Sequence, residues 1–153
     1  MSTLDNNIVA GQGLRPQLPC EAVGMSALLP VLLVVDSANV VGSVPDGWWR
    51  DRHGAAVRLR DRIAAYAAAG ERRLFTDAPE VVLVVEGAAR DVGPVPGVRV
   101  EQADGGDGDD KIVEVVAARA PGRACVVVTA DRELRARVTA LGAEVAGPSL
   151  LRP

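Results

Sequence analysis

The sequence predicts an α/β three-layer sandwich around a central, mostly parallel sheet of four to five strands. Three observations predict it. Aliphatic runs at 31–35, 81–85 and 125–129 are continuous rather than alternating, as in strands covered on both faces. Helical patterns separate these runs, so strands and helices alternate along the chain. At 153 residues, 48% hydrophobic and 3% aromatic, the chain is long enough for one sizeable aliphatic core without disulfides or structural metal.

Residues 1–24 carry neither periodicity, and the breaker-rich "GQGLRPQLP" marks them as a flexible N-terminal tail before a single domain at 25–153. The first strand, 31–35, runs into Asp36 with Asn39 behind it. In "WRDRHGAAVRLRDRIAAYAAAG" (49–70), Val57, Ile63 and Tyr66 fall near one helical stripe, the arginines fall on another, and Gly70 is the stop signal. The second strand, 81–85, ends in Glu86-Gly87. A third at 98–101 leads through "QADGGDG" to Asp109-Asp110, which open a helix over 109–120 halted by Pro121-Gly122. The fourth strand, 125–129, reads "VTAD" to Asp131, which opens a helix over 131–142 ending at Gly142. A weaker fifth strand covers 143–146. With right-handed crossovers these elements build a Rossmann-type open sheet.

The formal net charge is −3, which excludes a protein coated in positive charge but not one with a local basic face. Between residues 50 and 73 stand seven arginines against Asp51, Asp61 and Glu71, whereas 101–114 holds six acids against Lys111 alone. Cys20 and Cys125 are too few for a disulfide framework, so a reducing cytoplasm is the expected compartment. The apolar stretch 25–35 is too short to span a bilayer and runs into Asp36, so no membrane partner is expected.

In an open parallel sheet, ligands collect outside the carboxyl ends of the strands. Asp36, Glu86, Asp109, Asp110 and Asp131 all fall there. Singly, Asp109, Asp110 and Asp131 read as helix caps, Asp36 and Asn39 as turn residues, and Glu86 as a solvated strand end. Together they conflict, because carboxylates converging on one edge repel one another unless a cation or protons intervene. Hard oxygen donors without His or Cys favour Mg²⁺ or Mn²⁺ over zinc, and the lone His53 reads as a surface residue. Carboxylate-held Mg²⁺ suits phosphodiester hydrolysis. No P-loop motif is present, and the acids of "GGDGDD" would repel a pyrophosphate.

Four ordered motifs, "VVDSANVVG", "VVLVVEG", "GDGDDKIVEVV" and "VVVTADREL", resemble the NYN branch of the PIN-like nucleases, including its YacP-like members. They cover 31–145 in the family's order. The resemblance implies a PIN-like fold and a Mg²⁺- or Mn²⁺-dependent ribonuclease. By position it implies Asp36, Asp110 and Asp131 as metal ligands and Asp109 as a neighbouring ligand or supporting acid. Asn39 would orient Asp36 or the scissile phosphate, and Glu86 stands where an aspartate is common. Two positions depart from the family pattern: Ala38 replaces a frequent glycine, and Arg135 stands where some members carry a further acid. A weakened or single-metal site is left open by these departures.

"DGWWRDRHG" is unusual in so aromatic-poor a chain. Adjacent Trp48 and Trp49 cannot share a direction, so one is expected near solvent, where with Arg50 and Arg52 it forms a stacking platform for single-stranded RNA. The other reading is that both tryptophans staple the loop to the sheet. Arg132 after Asp131 is a second candidate phosphate contact, or one more solvated helix charge. Three functions therefore stand: a metal-dependent ribonuclease, a catalytically inactive RNA-binding module of the same fold, and a metal-dependent nucleotide phosphohydrolase. Self-association into a homodimer is left open.

Overall fold

The computed structural model describes residues 29–68, 78–104 and 107–151. The expected tail at 1–24, Cys20 and the helix stop at Gly70 lie outside the described residues. Five strands, β1 (Leu32–Asp36), β2 (Glu80–Val85), β3 (Val98–Gln102), β4 (Cys125–Val128) and β5 (Glu144–Ala146), form one sheet in the order β3-β2-β1-β4-β5. Every neighbouring pair is parallel. Among the described residues four α-helices accompany them: α1 (Ser37–Gly42), α2 (Arg52–Ala68), α3 (Gly108–Ala117) and α4 (Arg132–Ala140).

The continuous aliphatic runs have a simple cause. Side chains alternate in direction along a strand, and both directions are covered here. Leu33, Val35, Val81, Leu83 and Val85 pack with Val40 of α1 and Ala56, Leu59 and Ile63 of α2. Leu32, Val34, Val82, Val84 and Val127 pack with Ile112 and Val116 of α3 and Leu134 and Val138 of α4. The sheet is thus the middle of three layers, α1 and α2 on one side and α3 and α4 on the other.

Strand order reverses direction between β1 and β4. The helices that follow these two strands leave on opposite faces, so their first turns diverge and open a crevice at the carboxyl edge. At the opposite edge the strands are tied by charge: the Arg123 guanidinium donates to Glu80 at 2.7 Å and to the Pro30 carbonyl at 2.9 Å. Arg99 bridges Glu80 and Glu101, and Lys111 bridges Glu101 and Glu114.

One element departs from the sequence reading. Residues 37–42, expected as a turn, form the short helix α1, capped by Asp36. A six-residue segment with two valines has little helical tendency of its own. Burial of Val40 against the sheet supplies what propensity lacks. No helix among the described residues is long and apolar enough to cross a membrane.

Leu33, on the central strand and wholly buried, is the stringent test of this core. Leu33→Ala is expected to lower stability by about 2–5 kcal/mol, read from the urea midpoint at unchanged slope.

Candidate functional site

The site is built where β1 and β4 end side by side. Asp36 is the last residue of β1 and is only 5% exposed. Its Oδ1 accepts from the Asn39 backbone N–H at 3.4 Å, capping α1, and its Oδ2 accepts from the Thr129 hydroxyl at 2.9 Å. The same hydroxyl oxygen, fully buried, accepts from the Asp131 N–H at 3.1 Å. Asp131 in turn caps α4 through the Leu134 N–H at 2.9 Å. The Asn39 side-chain oxygen accepts from the Ala130 N–H at 2.8 Å, a second link between the two strand ends.

A third arm arrives from β2. Glu86 follows that strand, and its Oε1 accepts from the Gly108 N–H at 2.7 Å, the first residue of α3. A Cβ at Gly108 would lie 3.3 Å from Glu86 Oε2, so the absence of a side chain permits this approach. Asp107 caps α3 by accepting from the Asp110 N–H at 3.2 Å. The helix therefore starts earlier than the expected 109, and its phase separates the two adjacent acids.

Asp109 faces the cluster. Its carboxyl is pushed up to about 6, first by burial and then by the charges of Asp36, Asp131, Asp107 and Glu86. Asp36 is also raised, chiefly by burial, with the Thr129 and Asn39 bonds opposing and Glu86 and Asp131 adding to the rise. Asp110 lies on the other side of α3: its side chain is 72% exposed and pairs with Arg137 of α4 at 3.1 Å. Of the expected acids, the structure therefore brings Asp36, Asp109 and Asp131 together with Glu86, and sends Asp110 to a surface ion pair. The set is loose. Among the described residues, no group of three His, Cys, Asp or Glu side chains stands ready to hold a metal ion. Its charged groups are all carboxylates.

A cleft of about 380 Å³ adjoins the acids, lined by Ser37, Ala38, Trp48, Arg52, Glu86 and Asp107 among others. Trp48 and Trp49 begin a 3₁₀ turn (Trp48–Arg50) and meet edge to face, ring centroids 6.0 Å apart. Trp48 is half-buried in the cleft wall, whereas Trp49 is 52% exposed. The Arg52 guanidinium lies over the Trp48 ring at 5.2 Å, and that of Arg50 over Trp49 at 5.6 Å. Arg132 is exposed beside Asp131, and His53 is exposed as expected. Arg135 donates to the Thr129 carbonyl at 2.9 Å, bracing the loop that carries Asp131. Sequence reasoning passed over Asp107, although a lone Asp three residues before another polar helix-start residue is a capping signal.

No family model matches the sequence, and no curated protein does. Solved structures do match. The chain is similar to the crystal structure of a tryptophan-to-leucine mutant of Rae1 (YacP) from Bacillus subtilis: TM-score 0.60, 17% identity, covering 79% of this chain and 72% of that one. A second Rae1 (YacP) structure from the same organism gives TM-score 0.60 and 18% identity, over 77% of this chain and 69% of that one. The chain shares the fold of Rae1. Its strand order and three layers are those of a Rossmann-type open sheet.

Two measurements check this electrostatic picture. A carboxyl raised from the ordinary 3.8 to about 6 keeps its proton in the folded state where the unfolded chain has released it. Its contribution to stability is therefore greatest at low pH and is lost as pH rises through about 6. In the metal-free protein, Asp109→Asn is expected to raise the urea midpoint at pH 7, and the gain over wild type should vanish toward pH 4. Thr129→Val, which removes the donor to buried Asp36, is expected to cost about 1.5–3 kcal/mol at pH 7 in the same assay.

Proposed function

We propose that this chain is a ribonuclease that hydrolyses phosphodiester bonds of single-stranded RNA with Mg²⁺ or Mn²⁺ held by Asp36, Asp109 and Asp131. The observation that carries the proposal is the convergence of these acids, from the ends of β1 and β4 and the start of α3, into one crevice where burial first and their mutual charges second raise the Asp109 carboxyl to about 6. Like charges gathered at such a cost to stability call for a cation. The fold likeness to Rae1 (YacP) agrees with the YacP-like motifs in the sequence.

The chemistry supplied by a bound divalent ion is activation of water for attack on phosphorus and compensation of the charge that develops on the phosphate. The residues of the chain do the rest. The Thr129 hydroxyl and the Asn39 N–H fix both Asp36 oxygens, so the buried carboxylate enters the crevice in one orientation. Asn39 holds the Ala130 N–H, which sets the loop that presents Asp131. Glu86 anchors the start of α3 and so delivers Asp109. Exposed Trp49 with Arg50 over its ring, together with exposed Arg132, offer stacking and phosphate contacts. A second reading, an RNA-binding module without turnover, is favoured by the absence of a ready-made group of three ligands among the described residues.

Cleavage of single-stranded RNA with Mn²⁺ or Mg²⁺ tests the proposal. Asp36→Asn and Asp131→Asn are each expected to lower the rate by about 10²-fold or more, and Asp110→Asn, which breaks only the Arg137 pair, to leave it within a few-fold. Undiminished cleavage in the first two variants rejects the assignment. Saturating Mn²⁺ should also raise the melting temperature of the wild type, and by less in Asp36→Asn.

A further inference from the structure

The cleft beside the acids has a shape and lining that the cleavage chemistry does not require. Its walls are largely apolar, with Ala38, Val41, Ala56, Ala89 and Trp48 in the lining, and its volume is about 380 Å³. That space holds one nucleotide rather than a duplex. Its polar groups sit at the edges. Arg52 covers one face of Trp48, leaving the flat guanidinium as the surface against which a planar group would stack. Arg52 has no carboxylate partner among the described residues.

Glu86 and Asp107 also line the cleft. Each has one oxygen engaged, Glu86 Oε1 with the Gly108 N–H and Asp107 Oδ1 with the Asp110 N–H. Neither second oxygen has a hydrogen-bond partner among the described residues. Both bonds run to backbone N–H groups at the start of α3, so the carboxylates are held in place while keeping acceptor capacity. A carboxylate only accepts, and two acceptors on one wall select a ligand edge rich in N–H donors.

We infer that the Trp48–Arg52 cleft is a nucleobase subsite that takes one unpaired base beside the scissile phosphate and prefers guanine, with uracil the poorest fit. The inference rests on the ribonuclease reading for its ligand class. Guanine carries adjacent N1–H and N2–H₂ donors on its pairing edge; adenine and cytosine present one exocyclic amine; uracil offers a single N–H between two carbonyls, which would face carboxylate oxygens. The same edge is occupied in a duplex, so the subsite admits only unpaired RNA.

The test is equilibrium binding of the full chain, in EDTA so that no metal-dependent cleavage intervenes, to a labelled uridine pentamer and to the same pentamer with one central guanosine. The two oligonucleotides carry equal charge, so repulsion by the metal-free acids cancels in the comparison. The guanosine pentamer is expected to bind at least about tenfold tighter, in line with about 1–3 kcal/mol for a paired donor–acceptor edge. Asp107→Ser keeps a capping oxygen for α3 but removes the spare acceptor, and should reduce the preference several-fold at unchanged melting temperature. Trp48→Phe, which shrinks the platform without opening a large hole, should weaken both pentamers.

Equal affinity for the two pentamers overturns the inference, as does failure to bind either, or a preference untouched by Asp107→Ser. Cleavage of the same pentamers with Mn²⁺ separates the two proposals. Cleavage without base preference removes the subsite and leaves the nuclease. Preference without cleavage removes the nuclease and leaves a base-reading RNA module.

Discussion

The hydroxyl of Thr129 is the contact on which the crevice depends. It donates to Asp36 and accepts from the Asp131 N–H, so one oxygen joins the ends of the two central strands at the point where their helices part. Without that donor, Asp36 would be a nearly buried carboxylate with one long bond to Asn39, beside Glu86 and Asp131 charges. Burial of an unpaired charge is among the costliest local features a fold can carry. The threonine makes the carboxylate tolerable and at the same time sets its distance from Asp131. Burial first and the neighbouring charges second still raise the carboxyl of Asp109.

How much of this was legible in the sequence follows from which physical signals are local. The strands were readable because burial on both faces leaves uninterrupted aliphatic runs, as in Val81 to Val85. Convergence of acids on one edge was also readable, since a parallel sheet sends every strand's carboxyl end to the same side. Helix α1 was not, because its stability comes from Val40 packing on the sheet rather than from its own residues. The choice between Asp109 and Asp110 was equally hidden. Adjacent helix residues point about 100° apart, and only the cap at Asp107, the Glu86 bond to Gly108 and the distant Arg137 decide which one faces inward.

The aromatic pair illustrates the same limit from the other direction. Neighbouring tryptophans at 48 and 49 had to diverge, and they do, one into a cleft wall and one half in water. Which would be which depended on Gly47. Its positive φ of 84° starts the 3₁₀ turn, a backbone state that glycine reaches without steric penalty. Trp48 then lies against Gly42 at the end of α1, where a side chain would meet its ring at 3.7 Å. The edge-to-face packing of the indoles and the two guanidiniums over them convert a sequence oddity into one continuous surface.

Charge is divided by place in a way that answers how a chain of net charge −3 would meet a polyanion. Several arginines are consumed internally: Arg60 by Asp61, Arg99 and Arg123 by Glu80, Arg137 by Asp110. Arg119 and Arg135 serve backbone carbonyls. Arg50, Arg52, Arg90 and Arg132 have no carboxylate partner among the described residues, and each follows the carboxyl end of a strand or the turn beside it. Of these, Arg52 lines the cleft together with Glu86 and Asp107. Within one cleft opposite charges are separated by less than a Debye length, so salt screens them little. The net charge of −3 hides this local mixture, because a sum over the chain carries no information on where its charges stand.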